Sequence, residues 1–192
     1  MKFYQHLAAT LIWMSAGIAA VQGAQAAAAE GTKNQIPRAA STPNTPKNWI
    51  GPSKRIYAQS IVDDLIASHP EVMSITMHGT PPGQSGLYTM FAGTFPDRIG
   101  NESSAGDVIT VLKAVTQIEP KWGTPDWQKK VSTVLPLKDS RGKFLPVAMV
   151  IAFKTSPDDK RVDTEFLPLG VKIRDGLNSK IPSFNALFEP AH

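Results

Sequence analysis

The sequence predicts an α+β domain built on one antiparallel sheet of about five strands, with a long N-terminal helix and a C-terminal helix. Three observations carry this. An apolar stripe of helical period occupies residues 53–68. Two pairs of β-rich runs, at 71–78 with 87–92 and at 131–137 with 144–153, each enclose a polar, glycine-bearing loop. A further helical stripe follows residue 163. The order helix, two strands, helix, two strands, helix keeps antiparallel strands and helices segregated, which is the α+β arrangement. Of the 192 residues, 42% are hydrophobic and 19% charged, a balance that can offset the entropy of ordering a chain.

Composition also removes whole classes of chemistry. The chain has 0 cysteines, which excludes disulfides, thiolate metal centres, covalent haem attachment and a cysteine nucleophile. The net charge of +4 is small and dispersed, whereas nucleic-acid binding calls for a concentrated basic stripe, so no nucleic-acid partner is expected.

Residues 1–26 read as a secretory signal peptide. Lys2 is the only formal charge before Glu30, the run 7–21 is apolar, and Ala24 and Ala26 supply the small residues of a cleavage site. The apolar run is shorter than the roughly 20 residues a membrane-spanning helix needs, so cleavage is expected rather than retention as an anchor. Export without cysteines points to a bacterial periplasm, where disulfides are permitted and not required. No later run is long and apolar enough to span a membrane. Residues 27–52 follow as a Pro/Ala-rich linker containing Pro37, Pro43, Pro46 and Pro52, with Ile36, Trp49 and Ile50 as apolar exceptions able to dock locally. Residues 53–192 form the single domain.

Within it, Ile56, Tyr57, Ile61, Val62, Leu65 and Ile66 make the first helical stripe, Ser53 is placed to cap it, and Pro70 ends it by disfavouring helical backbone at His69. Residues 71–78 alternate, with Met73, Ile75 and Met77 on one face and Val72, Ser74, Thr76 and His78 on the other. After the loop 79–86 the strand 87–92 returns as a long-looped hairpin. Ser104 or Asp107 then caps a helix over Val108, Ile109, Val111, Leu112 and Val115. In the second hairpin Val147, Met149, Ile151 and Phe153 share one face and Ala148, Val150 and Ala152 the other. Both faces are apolar, so this strand is central, with helices or a ligand on each side; Pro146 sits outside the ladder. The final helix shows Phe166, Leu169, Ile173 and Leu177, with Pro168 in its first turn and Pro182 at its end.

The loop Phe95-Pro96-Asp97-Arg98-Ile99-Gly100 with Asp107 beyond it, and the hairpin Leu135-Pro136-Leu137-Lys138-Asp139-Ser140-Arg141-Gly142-Lys143, resemble two motifs of the extracytoplasmic PAS-like sensor domains called Cache domains. The resemblance covers about 53–185. It implies a PAS-like sheet with a ligand pocket between the sheet and the loop–helix segment after the second strand. Carried over by position, the pocket lining is Tyr88, Met90, Phe91, Arg98, Trp122, Met149 and Ile151; His78, which ends a strand, is read first as structural and otherwise as a residue facing that pocket. Family members usually sit between two membrane helices and feed a kinase, cyclase or chemotaxis domain. This chain is therefore expected to be a free-standing relative that binds a small anionic or amphipathic solute and signals through an inner-membrane signalling or transport protein.

Each candidate residue also has a plainer reading. Arg98 suits bidentate capture of a carboxylate, or it pairs with Asp97 or Asp107 at the surface while the aromatic residues are core. His69 and His78 lack the H-x-x-x-H spacing of a metal site, so no metal or other cofactor is expected, and His69 at a helix end is read as structural. Asp97, Glu102 and Asp107 are candidate paired carboxylates in a loop of a composition that is normally solvated. Ser85 lacks the G-x-S-x-G elbow and 79–86 lacks the phosphate-loop pattern, so acyl transfer and nucleotide chemistry are disfavoured and the domain is expected not to be an enzyme. Met73, Met77, Met90 and Met149 suit Cu(I), although their mixed faces point to packing. A ligand-free interaction module is the alternative to sensing, and a hydrolase the remote one, requiring His78 within reach of a carboxylate and a hydroxyl.

Overall fold

The computed structural model describes residues 46–119, 130–156 and 158–191. The expected signal peptide and most of the expected linker lie outside these residues, as do Trp122 and His192. No helix among the described residues is long and apolar enough to cross a membrane. The architecture is α+β: one antiparallel sheet of five strands, β1 (Val72–Gly79), β2 (Thr89–Gly93), β3 (Gln117–Glu119), β4 (Lys130–Lys138) and β5 (Phe144–Lys154), in the order β2-β1-β5-β4-β3, with helices.

Helix α1 (Tyr57–Ser68) buries Ala58, Ile61, Val62 and Leu65, one turn apart on a single face. It is three turns long, shorter than the sequence suggests, and Ser53 does not cap it. The C-terminal segment supplies its first acceptor instead: Tyr57 N–H donates to the Glu189 carbonyl at 2.8 Å, and Ile56 bridges Pro190. The helix therefore begins where the chain end meets it. Strand β1 (Val72–Gly79) pairs with β2 (Thr89–Gly93), and β4 (Lys130–Lys138) with β5 (Phe144–Lys154), the two hairpins legible in the sequence. Helix α2 (Ala105–Lys113) is closed at its start by a capping box between Ser104 and Asp107, so both cap candidates act together. Strand β3 (Gln117–Glu119) is three residues long and pairs only with β4; its brevity leaves no period to read.

Helix α3 (Leu167–Asp175) follows a 3₁₀ turn at Asp163–Phe166 and ends well before Pro182. Its inner side is Phe166, Gly170 and Ile173, while Leu169 is exposed, a correction to the expected stripe. Gly170 takes the inward position because a Cβ there would collide with the buried Thr133 side chain, which only the smallest residue avoids.

The two faces of the sheet differ in kind. One carries Ile75, Met77, Val131, Leu135, Met149, Ile151 and Phe153 into a core completed by α1, Phe166, Ile173, Leu177 and Leu187. The registers Thr76↔Val150, Ser74↔Ala152 and Ser132↔Ala152 put small or polar side chains together on the other face, where α2 packs Val111 on Val134 and Ala148. Between β1 and β2 the pairs Met77↔Ala92 and His78↔Met90 leave Phe91 as an extra residue, a bulge. Phe91 drops into the core against Phe188 at a ring separation of 4.7 Å. The bulge keeps Ala92 on the core side and Met90 opposite His78.

Residues 46–49, expected as the end of a linker, are tied to the domain: Asn48 N–H donates to the Gly100 carbonyl and Glu102 N–H to that of Pro46. Trp49 packs on the core while Ile50 is exposed. Gly100 has φ +90°, and a Cβ there would strike the Trp49 carbonyl oxygen. Gly100→Ala is expected to lower the unfolding free energy by about 2–4 kcal/mol, combining left-handed strain with the collision. Gly83 has φ +79° and open space around it, so Gly83→Ala is expected to cost only the strain, about 1–2 kcal/mol. Urea titration of the two variants checks this; equal losses would show that the contact with Trp49 contributes nothing.

Candidate functional site

The face opposite the core holds a cleft of about 70 Å³. Its floor is Ser74 and Thr76 of β1, Val150 and Ala152 of β5 and Ser132 of β4, and small side chains on three adjacent strands are what leave the space. Its walls bring together His78, Arg98, Asp107, Glu119 and Lys130, with Phe95 and Met73 at the edge. Two larger hollows of about 260 Å³, one by Tyr57 and Pro182 and one by Trp49 and Arg55, lie on the core side of the chain and have no comparable set of buried titratable groups.

Asp107 is the best-connected carboxylate of this cleft. Its Oδ2 accepts from Ser104 N–H at 3.0 Å and Ser104 Oγ–H at 2.8 Å, and lies 3.4 Å from His78 Nδ1. His78 Nδ1 also meets Ser103 Oγ at 3.2 Å, and Nε2 meets Thr76 Oγ1 at 2.8 Å. The segment that presents Ser103 is held to β2 by Met90 N–H donating to Asn101 O and Ser103 N–H to Tyr88 O. Burial pushes the His78 imidazole below its ordinary 6.5, with the Asp107 charge pulling the other way, so the ring is neutral near pH 7. Burial and the Asp107 charge push the Glu119 carboxyl above its ordinary 4.5, against Lys130 and a hydrogen bond from Ser132.

Arg98 stands in the turn Pro96–Arg98, its guanidinium 4.3 Å over the Phe95 ring. Its Nε is buried without a hydrogen-bond partner. Among the described residues it forms no ion pair with Asp97, Asp107 or any other carboxylate.

Of the residues expected to line a pocket, His78 and Arg98 meet in this cleft. Tyr88 and Met90 lie beside it: Tyr88 packs under α2 on Val111 and Val134, and Met90 is buried opposite His78. Phe91, Met149 and Ile151 belong to the core on the other side of the sheet and are fully packed. Trp122 lies outside the described residues. The expected set therefore draws on both faces. Thr76, Asp107, Glu119, Lys130 and Ser132 were not in it. Strand alternation already grouped Ala148, Val150 and Ala152, and their small size was the usable signal for space; Glu119 carried none, because β3 is too short to be read. His69 faces Glu71 at 3.0 Å, and Met77, Met90 and Met149 are fully buried. Among the described residues no cluster of His, Asp and Glu is arranged to hold a metal.

No family model and no curated protein matches this chain. Solved structures with a partial likeness include the C-terminal domain of the E. coli transcriptional regulator KdgR, at 11% identity and a TM-score of 0.41, covering 65% of this chain and 93% of that one. The Agobacterium tumefaciens repressor BlcR has 13% identity and a TM-score of 0.42, covering 71% and 69%. The GAF domain of a Bacillus halodurans two-component sensor histidine kinase has 13% identity and a TM-score of 0.39, covering 64% and 91%. These scores transfer no ligand and no activity.

Proton counting gives the site a test. Below 6.5 the unfolded chain protonates His78 before the folded one does, so stability is expected to fall as pH drops from about 7 to 5. His78→Gln is expected to flatten that slope. Glu119 acts in the opposite sense: the fold holds its proton longer, so stability is lost as pH rises above 4.5. Glu119→Gln is expected to raise the unfolding free energy near pH 7 and leave it unchanged near pH 4. Denaturant midpoints across this range check both; an unchanged acid slope in His78→Gln would remove the histidine from the linkage.

Proposed function

We propose that this chain is an exported, periplasmic binding or sensory domain that takes the carboxylate of a small anion into the cleft beside α2, with Arg98 as its anchor. The observation that carries the reading is Arg98 in the wall of a polar cleft, its guanidinium stacked on Phe95 and paired with no carboxylate among the described residues, its Nε without a hydrogen-bond partner. Such a donor left without an acceptor costs about 1–3 kcal/mol, and a carboxylate matches the guanidinium fork with two acceptors. Lys130 adds positive charge on the same cleft, and the hydroxyls of Ser74, Thr76 and Ser132 surround the space.

The volume sets the ligand class. About 70 Å³ is well below the range of roughly 300–1,000 Å³ typical of drug-sized ligands. The cleft encloses a carboxylate and one or two further carbons, and any amphipathic tail lies outside. The basic start, apolar run and small-residue cleavage site of residues 1–26 support export. A second reading, docking of a protein partner, is favoured by the outer side of α2, where Ile109 and Leu112 are exposed and Val115 follows the helix end. In the sensory reading that surface passes the signal to a membrane-bound protein, since α2 carries both Asp107 and these residues.

Isothermal titration of the mature chain with formate, acetate and lactate tests the binding reading. Arg98→Ala is expected to weaken binding by about 1.5–3 kcal/mol, the range for hydrogen bonds to a charged group, with the unfolding midpoint preserved. Arg98→Lys keeps the charge without the fork and is expected to fall between. Equal affinity in Arg98→Ala would remove Arg98 from the site, and no heat with any of the three anions would overturn the reading.

A further inference from the structure

The sequence offers no nucleophile elbow, yet the fold assembles a different constellation. Thr76 and His78 are two residues apart on β1 and share a face, with Thr76 Oγ1 2.8 Å from His78 Nε2. Across the ring, Nδ1 faces Asp107 Oδ2 at 3.4 Å and Ser103 Oγ at 3.2 Å. A carboxylate beside Nδ1 favours the tautomer with its proton there, which leaves Nε2 to accept from the Thr76 hydroxyl. These are the relations of a nucleophile, a general base and an orienting acid. Thr76, His78 and Asp107 line one cleft with Arg98, whose buried Nε–H has no acceptor. Burial keeps the imidazole neutral, the form a general base requires.

We propose that this cleft hydrolyses esters of small carboxylic acids, with Thr76 as nucleophile, His78 as base, Asp107 orienting the base and Arg98 binding the acyl oxygen. Thr76 Oγ1 forms a bond to the acyl carbon and its proton passes to His78 Nε2, while the Arg98 guanidinium in the cleft wall stabilises the oxyanion. The carbon–oxygen bond to the alcohol then breaks, and His78 returns the proton to the departing alkoxide. Water attacks the acyl-threonine, gives a proton to Nε2, and the carboxylic acid leaves as Thr76 regains its hydrogen. The cleft volume limits the acyl group to about the size of acetyl. The inference shares Arg98 with the binding reading and makes the bound carboxylate the product of the reaction.

The experiment uses the mature chain with 4-nitrophenyl acetate, and 4-nitrophenyl benzoate as an oversized control. Wild-type protein is expected to raise the rate of acetate-ester cleavage about 100-fold or more over buffer, with little effect on the benzoate. Thr76→Val preserves shape and strand preference and is expected to return the rate to that of buffer, whereas Thr76→Ser retains activity. Acid-quenched wild-type protein is expected to carry one acetyl group on the peptide containing position 76, a readout that stands even if Thr76→Val does not fold. Unchanged hydrolysis in folded Thr76→Val, or acetylation confined to surface lysines, would overturn the proposal. Acetate binding without ester cleavage would also overturn it and leave the binding reading intact.

Discussion

Asp107 places a carboxylate where almost no water reaches, and the polar side of the domain is organised around that charge. Its side chain is 2% exposed. An ionised group in such a place carries a desolvation cost of several kcal/mol unless donors surround it. Here the donors are the Ser104 N–H and hydroxyl, with the His78 ring alongside and the start of α2 adding its favourable dipole. The same carboxylate fixes where α2 begins, lies beside the His78 ring, and adds to burial in making Glu119 hold its proton more tightly. A residue that caps a helix at the surface is replaceable; one that caps it while facing a buried imidazole couples the helix to the sheet.

The sheet makes room for this arrangement by dividing its side chains unequally. Met77, Leu135, Met149 and Ile151 fill one face completely, and Ser74, Thr76, Ser132, Val150 and Ala152 leave a hollow on the other. Helix α2 then rests its Val111 on Val134 and Ala148 beside the hollow and contributes Asp107 to its lining. The bulge at Phe91 is part of the same division, since it sends one large aromatic ring to the core side while Met90 stays with His78. The turn at Pro96–Arg98 brings Arg98 to the wall of the hollow, and Gly100 lets the chain double back there against Trp49.

Much of the fold was legible because short-range periodicity determined it. The two hairpins, the cap at Ser104, the central position of β5 and the grouping of Ala148, Val150 and Ala152 all follow from alternation and capping chemistry within a dozen residues. What escaped the sequence depends on distant partners. Helix α1 begins at Tyr57 because Glu189 meets it, and Leu169 turns outward because Gly170 must face Thr133. In the candidate site, Arg98 and His78 stood out as residue types, whereas Thr76, Glu119 and Lys130 come from strands whose register decides their neighbours. Large apolar residues such as Met149 and Ile151 are natural guesses for a pocket, yet large residues fill space; the space lies over alanine and serine.

The size and charge of the cleft bear on one another. Arg98 and Lys130 face Asp107 and Glu119 in a volume of about 70 Å³, so a ligand sits within a few ångströms of both signs at once. Burial, and after it the Asp107 charge, push the Glu119 carboxyl above its ordinary value, so further negative charge is disfavoured at that end. In the proposed binding mode a carboxylate is held at the Arg98 end and kept from the Glu119 end, which gives the cleft a direction. The same direction suits acyl transfer: the oxygen that gains charge points to Arg98, and the group that loses a proton, Thr76, lies against a neutral His78. Binding and chemistry then make the same demand on the protein, a positive, hydrogen-bond-donating wall opposite a buried wall that disfavours further negative charge, and Asp107 with Glu119 supplies that second wall.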